Sequence, residues 1–255
     1  MAFGLILIGD ELLTGKRRDR HFDHMVEVLG ERGLVLAWSL ILGDDEALIS
    51  ETLRHTFARE DVVFSFGGIG ATPDDRTRQA AARALGQALV VHPGARAELE
   101  ARFGDATYPQ RIHMAEFPEG AELIPNPVNR VPGFSVHDHH FVPGFPHMAW
   151  PMVEWVLEQR YRDRFPVEHP QEFLMRAYDA AESDLVPAME AVLASVPGVR
   201  LSSLPHGGGE RFIELGLRGA PGEAARAYRQ LWQLLQEAGV RTEAVRPPPA
   251  PQAHG

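Results

Sequence analysis

Three acidic pairs follow three apolar runs in the first third of the chain: Asp10-Glu11 after Phe3 to Ile8, Asp44-Asp45 after Leu34 to Leu42, and Asp74-Asp75 after Asp61 to Phe66. The last pair is reached through Gly67-Gly68-Ile69-Gly70-Ala71-Thr72-Pro73. Glycine admits positive φ and carries no side-chain bulk, so a turn through Gly67, Gly68 and Gly70 can wrap its main-chain amides around an anion such as phosphate. Thr72 suits an N-cap, Pro73 the first helical position, and Asp75 the capping-box acid three residues on, which predicts a helix from residue 72. Its apolar face would carry Ala80, Ala81, Ala84 and Leu85, with Gly86 as the stop. Asp74 and Asp75 admit two readings. They could simply favour the helix dipole, by about 0.3–1 kcal/mol each. Alternatively they could hold a divalent cation that bridges them to a phosphate they would otherwise repel.

The elements that must position these groups alternate. Helical spacing appears over Asp19 to Arg32, with Phe22, Met25, Val26 and Leu29, and over Ala47 to Arg59, with Leu48, Ile49, Leu53 and Phe57. Both apolar runs before the acids, Phe3 to Ile8 and Leu34 to Leu42, look buried. Strand and helix in alternation mean crossover units and a parallel sheet, whose ligands sit beyond the carboxyl ends of the strands. Asp10, Glu11, Asp44, Asp45, Asp74 and Asp75 would then share one rim. Acids crowded at one rim beside a glycine turn suggest phosphate together with a divalent metal.

The chain has 255 residues, no cysteine and a formal net charge of -10. Without cysteine, disulfides, thiolate zinc sites and a catalytic thiol are excluded, leaving oxygen and imidazole as metal ligands; magnesium suits the oxygen set. The acidic balance argues against nucleic acid as a partner, and no apolar stretch approaches the ~20 residues of a membrane span. Met1-Ala2-Phe3 lacks the basic start of a signal peptide, so a cytoplasmic protein is expected. The expected partners are a small phosphorylated ligand and further copies of the chain, as a dimer or trimer. One basic run, Lys16-Arg17-Arg18-Asp19-Arg20, holds the only lysine and follows the first acidic pair. Lys16 could grip or steer a phosphorylated ligand, or the run could be a solvated helix start.

Further along, Ala88 to Val91 reads as a strand, Pro93 to Phe103 as a helix, and Arg111 to Ala115 as the start of another. Short strands at Ala121 to Ile124, Phe134 to Val136 and His140 to Val142 return toward the sheet, before a helix over Trp150 to Arg160. A small α+β unit follows, with strands at 172–178, 199–204 and 212–217, helices at 182–195 and 223–238, and a possible last strand at 240–245. Gly207-Gly208-Gly209 reads as a hairpin loop and the proline-rich tail as disordered. His137, His139 and His140 are discounted as a zinc set: in a strand His140 faces away from the other two, and His137 to His139 reads as a hairpin turn. Gly-x-Ser-x-Gly is absent, and the glycine turn lacks both the Lys-Ser/Thr ending of a P-loop and the spacing of a dinucleotide fingerprint.

Gly9 to Gly15, Gly43-Asp44-Asp45, Gly67 to Thr77, Pro125-Asn126-Pro127 and Pro143-Gly144-Phe145-Pro146 resemble, in order and spacing, the motifs of the MoaB/Mog-like molybdopterin-binding domain in its CinA branch. The resemblance implies a three-layer αβα fold with a mostly parallel sheet over residues 1–165, a small KH-like α+β (βαββα) domain over 166–246, and a tail at 247–255. It implies molybdopterin or an adenine nucleotide as ligand. By that resemblance Gly67, Gly68, Gly70 and Thr72 would cradle phosphate with Pro143 and Gly144 nearby, Asp10, Glu11, Asp44 and Asp75 would hold metal, magnesium in that family's manner, or substrate, and Asp44 and Asp75 would be the catalytic groups. Activity would be magnesium-dependent cleavage of an ADP-ribose-type pyrophosphate, or molybdopterin adenylylation; the alternative is a non-catalytic molybdopterin-binding module. The amidohydrolase domain of longer CinA chains would not fit the remaining length. Arg20-His21 stands where Thr-Asn is usual in that branch, Phe145 where proline is usual, and Asn129-Arg130 in place of a small glycine turn.

Overall fold

The computed structural model describes residues 2–207 and 210–249. They divide between Phe165 and Pro166 into two compact units. In the first, the elements are β1 (Phe3–Ile8), α1 (Asp10–Leu13), α2 (His21–Glu31), β2 (Leu36–Leu42), α3 (Glu46–Phe57), β3 (Val62–Phe66), α4 (Thr77–Leu85), β4 (Leu89–Val91), α5 (Pro93–Phe103), β5 (Glu116–Pro118), β6 (Glu122–Ile124), β7 (Gly133–Val136), β8 (His139–Val142) and α6 (Pro146–Arg160). The main sheet runs β2-β1-β3-β8-β7-β6. Its first four strands are parallel, and β7 and β6 close it antiparallel. The expected αβα layering is present.

Both faces of β1 and β3 are covered, so every residue of these strands is buried, as continuous apolar runs in a parallel sheet require. One face packs Phe3, Leu5 and Leu7 with Met25 and Leu29 of α2 and Val153, Val156 and Leu157 of α6. The opposite face packs Ile6 and Ile8 with Ile49 and Leu53 of α3, Ala80 and Ala81 of α4, and Leu99 of α5. Each fully buried aliphatic side chain contributes about 1.5–3 kcal/mol relative to exposure.

Three expectations change. β2 is an edge strand with no fully buried residue, and Leu40 and Ile41 are exposed, because only β1 flanks it. Phe22 and Val26 also face solvent, the buried stripe of α2 being His21, Met25, Val28 and Leu29. The helix expected from Thr72 starts only at Thr77, because Thr77 closes the glycine turn and Arg78 turns inward. The capping-box bond itself survives as a free-standing turn, with the Thr72 amide donating to Asp75 Oδ2 at 2.9 Å.

The second unit consists of β9 (Gln171–Tyr178), α7 (Glu182–Ser195), β10 (Arg200–His206), β11 (Phe212–Gly219), α8 (Pro221–Glu237) and β12 (Arg241–Arg246). Its antiparallel sheet runs β10-β11-β9-β12, the order of a split βαβ, ferredoxin-like unit. The fifth-element ending of a βαββα plan is therefore extended: β12 pairs with the central strand β9. At the start of the proline tail, Pro247 to Pro249 line a cavity of about 260 Å³ with Tyr228 and Trp232. Residues 250–255 and Gly208-Gly209, on which the rest of the tail and hairpin readings fall, lie outside the described residues. Among the described residues no helix is long and apolar enough to cross a membrane.

Candidate functional site

Because β1, β2, β3 and β8 are parallel, their carboxyl ends deliver four loops to one edge. There a cleft of about 440 Å³ is lined by Glu11, Asp44, Gly67, Gly68, Gly70, Thr72, Asp74, Asp75, Pro143 and Gly144, among others. The three glycines and Glu11, Asp44, Asp74 and Asp75 thus face one space, whereas Asp10 and Asp45 are not among the residues lining it.

The glycine turn is shaped by close approach. Gly68 has φ +69, and a Cβ there would stand 2.1 Å from Thr77 Oγ1. The Thr77 hydroxyl donates to the Gly67 carbonyl at 3.0 Å, and the Thr77 amide to the Gly68 carbonyl at 3.0 Å. Gly67 plays a different part from the one expected. Its amide donates to Val142 O at 3.0 Å and so continues the sheet, which leaves it no proton for a phosphate. What Gly67 supplies is room, since a Cβ would meet the Ile8 carbonyl at 2.3 Å, and a Cβ on Gly144 would stand 3.4 Å from the Gly67 Cα. Among the described residues no protein acceptor takes the amides of Gly68, Ile69, Gly70 or Ala71. Amides left without a partner beside a cleft form an anion cradle.

The carboxylates beside this turn have ties of their own. The Asp10 amide donates to Asp44 Oδ2 at 2.9 Å, and the Asp44 amide to Asp10 Oδ1 at 3.2 Å. Asp75 Oδ2 accepts both the Thr72 amide and the Thr72 hydroxyl, the latter at 2.6 Å. Asp45, the other member of its pair, caps α3 by accepting from the Leu48 amide at 2.8 Å. The Asp44 carboxyl is pushed above the usual carboxylate range, first by burial and then by the carboxylates of Asp10, Glu11 and Asp74, against the opposing pull of the Asp10 amide. Among the described residues no three His, Asp or Glu side chains gather at metal-holding spacing. The donors are hard oxygens suited to magnesium, and Asp44 Oδ1 and Asp75 Oδ1 receive no protein hydrogen bond among those residues.

Lys16 is not among the residues lining this cleft, whereas its neighbour Arg17 is. Arg17 sits 5.2 Å from the Phe145 ring centroid and 3.9 Å from Glu11, two contacts that set its direction. Sequence reading also missed Arg78. It is 2% exposed, donates to the carbonyls of Gly70, at 2.5 Å, and His113, and so fastens the glycine turn from below. Burial lowers its pKa, with Glu116 and Asp75 partly offsetting the effect. The signal was present: Arg78 shares the stripe of Ala81, Ala82 and Leu85 at helical spacing. Asn126 proves to be a loop builder, accepting from the amides of Val128 and Asn129 and donating to Val131 O, which turns Asn129 and Val131 toward the cleft.

The histidine group is spent at the other end of these strands. His139 Nε2 meets Thr56 Oγ1 at 2.9 Å. Tyr161 donates its hydroxyl proton to Asp138, so His140 Nε2–H donates to Tyr161 and His140 Nδ1 accepts from Ser135. His137 sits in the two-residue β7–β8 turn at φ 50.

A parallel sheet sandwiched by helices, with unclaimed glycine-turn amides and carboxylates at its carboxyl edge, defines an α/β domain with a candidate ligand site at that edge. Residues 4–163 match the family described as "Probable molybdopterin binding domain", and the chain belongs to that family. It is 30% identical to a CinA-like protein of Syntrophotalea carbinolica over 97% of this chain and 60% of that relative. A CinA-like protein of Escherichia coli is 33% identical over 89% of this chain and 58% of its own length. The chain thus spans about three-fifths of the length of these curated relatives. The crystal structure of the protein CinA with unknown function from Thermoplasma acidophilum superposes with a TM-score of 0.57 at 28% identity, covering 62% of this chain and 96% of that one. The CinA resemblance carried by the five sequence motifs is confirmed.

Proposed function

We propose that the first unit binds a molybdopterin- or nucleotide-type ligand through its phosphate or pyrophosphate and acts on the pyrophosphate bond. The observation that carries this reading is that the unclaimed amides of Gly68 to Ala71 and the carboxylates of Asp44 and Asp75 line one cleft. Phosphate beside carboxylate calls for a cation between them, and magnesium usually relies on one or two carboxylates together with the ligand's own phosphate oxygens. Asp44 would hold it through Oδ1, which takes no protein hydrogen bond among the described residues, with Asp10 and Glu11 adding negative potential; bound there, it would neutralise the diphosphate.

In hydrolysis a water oxygen attacks one phosphorus, the bridging P–O bond breaks, and the other phosphate leaves as an anion. Asp75 is the base this reading assigns, since Oδ2 is occupied by Thr72 and Oδ1 is left for the water proton. In adenylyl transfer to molybdopterin a phosphate oxygen of molybdopterin would replace water as nucleophile, attacking the α-phosphorus of ATP, breaking its bridging P–O bond to the β-phosphate and releasing pyrophosphate. Incubation with ADP-ribose, and separately with molybdopterin plus ATP, each with and without magnesium, tests both. AMP release or adenylylated product is expected only with the metal.

The second reading is a binding module that holds such a ligand without turning it over. It is favoured by the lack, among the described residues, of any gathered trio of metal-binding side chains. Calorimetric binding of the same compounds without turnover would select it. A cytoplasmic location and assembly as a dimer or trimer belong to the same proposal, and cell fractionation and light scattering test them.

A further inference from the structure

A second cavity, about 420 Å³, adjoins the glycine-turn cleft and shares Ile8, Glu11, Arg17, Gly144 and Phe145 with it. Its floor is apolar and aromatic, with Leu7, Leu12, Phe66 and the buried ring of His21. His21 is 6% exposed and stacks 4.3 Å from the Phe66 centroid. The Trp150 indole donates to its Nδ1 at 3.3 Å, so Nε2 carries the proton and donates to the Gly144 carbonyl at 3.3 Å. That bond fixes the loop which forms the wall between the two cavities. Burial keeps the ring neutral, so the floor brings no charge of its own.

The rim is different. Arg17, Arg18 and Arg20 stand around it, and the acid placed among them is otherwise engaged: Asp19 accepts from the amides of His21 and Phe22, both at 2.9 Å, capping α2. Among the described residues Arg18 and Arg20 have no ion-pair partner, and Arg20 is held over Trp150 at 5.6 Å. The charge of Arg17 is shared with Glu11, but the Arg18 and Arg20 guanidinium groups, without an ion-pair partner among the described residues and set beside an apolar floor in a chain whose formal net charge is -10, make a place for a second anion attached to an organic body.

We propose that this cavity is an anion subsite continuous with the glycine-turn cleft, and that the ligand class is a nucleotide-like compound with two separated phosphates, one at Gly68 to Ala71 and one among Arg17, Arg18 and Arg20. The proposal rests on the phosphate reading of the glycine turn and narrows it. Arg17 and Phe145, which line both cavities, mark where the organic spacer crosses.

The probes are adenosine 3′,5′-bisphosphate and AMP, titrated calorimetrically into the full chain and into the double variant R18Q/R20Q, whose replaced side chains are both exposed. The bisphosphate should bind the wild type tighter than AMP by about 10- to 100-fold, the range of one or two charge-assisted hydrogen bonds. R18Q/R20Q should lose that advantage while keeping its AMP affinity and melting temperature. Bisphosphate binding no tighter than AMP, or an advantage that survives R18Q/R20Q, overturns the subsite and leaves the glycine-turn reading standing. If AMP fails to bind while the bisphosphate binds and R18Q/R20Q abolishes it, the glycine-turn reading falls and the arginine subsite stands alone. If neither compound binds, both fall.

Discussion

Asp10, the first residue of α1 after β1, and Asp44, in the loop after the adjacent strand β2, each donate their backbone amide to the other's carboxylate, at 2.9 and 3.2 Å. This reciprocal pair stitches the carboxyl ends of β1 and β2 together and leaves two negative groups side by side, of which Asp44 lines the cleft. A Cβ at Gly43 would stand 2.5 Å from Asp10 Oδ1, so the stitch also needs the glycine before Asp44.

Asp44→Asn keeps the acceptor for the Asp10 amide and removes the charge. The folded pKa of Asp44 is raised, so its contribution to stability is present below the ordinary carboxylate value of 3.8 and is lost as pH rises through the folded value. Near neutral pH the ionised group is under repulsion. Asp44→Asn should therefore melt higher than the wild type near neutrality, with the gap closing as pH falls toward the carboxylate range, while metal-dependent turnover drops. Thermal denaturation across that pH range reads the first effect; a variant that melts lower at neutrality contradicts it.

Asp75→Asn separates fold from chemistry. The amide oxygen of Asn can still accept from the Thr72 amide and hydroxyl, so stability should change by no more than about 0.5 kcal/mol, as for surface substitutions elsewhere. Magnesium-dependent cleavage of ADP-ribose should fall by about 10²- to 10⁴-fold, the usual contribution of a positioned base. Wild-type rates in the variant would remove Asp75 from the site.

Two glycines with nearly the same φ should answer differently to alanine. Gly86 has φ +66 and open space for 4 Å around the point where an alanine methyl would stand, so Gly86→Ala should cost only the left-handed penalty of about 1–2 kcal/mol. Gly68→Ala carries the same penalty and also drives a methyl into Thr77 Oγ1, so it should lose more stability than Gly86→Ala and also lose phosphate binding. Urea denaturation of the two variants, followed by AMP titration, makes the comparison, and equal losses would mean that the Thr77 contact is not restrictive.

Acid should unfold the first unit through its buried imidazoles. His139 is held neutral by burial, with a pKa lowered from 6.5 to about 3, and His140 is also well below its ordinary value. A depressed value means stability that is present above 6.5 and lost as pH falls toward 3, while the unfolded chain takes up the proton. Each such group steepens the loss by about 1.4 kcal/mol per pH unit across that window. His139→Gln, which can still meet Thr56, should flatten the slope by one such increment, as read by denaturant midpoints between about pH 4 and 6.5.

Much of this fold is legible because local rules and tertiary needs agree. Continuous apolar runs at Phe3 to Ile8 and Val62 to Phe66 give the central strands, and the acids that follow them reach one rim because crossover connections make the strands parallel. Glycine spacing reveals the turn at Gly67 to Gly70. The misreadings share a cause. Thr72, Pro73 and Asp75 satisfy every local rule for a helix start, yet Thr77 and Arg78 are committed to the carbonyls of Gly67 and Gly70 and delay the helix.

Residue type and spacing by themselves determined the alternation of strand and helix, the glycine turn and the acidic rim, since these follow from backbone freedom and from hydrophobic periodicity along the chain. Only the tertiary structure decided that β2 is an edge, that Gly67 spends its amide on the sheet, that Arg17 rather than Lys16 faces the cleft, and that Asp10 and Asp44 clasp one another. Each of these depends on which distant segment becomes a neighbour, and periodicity along one chain carries no information about that pairing.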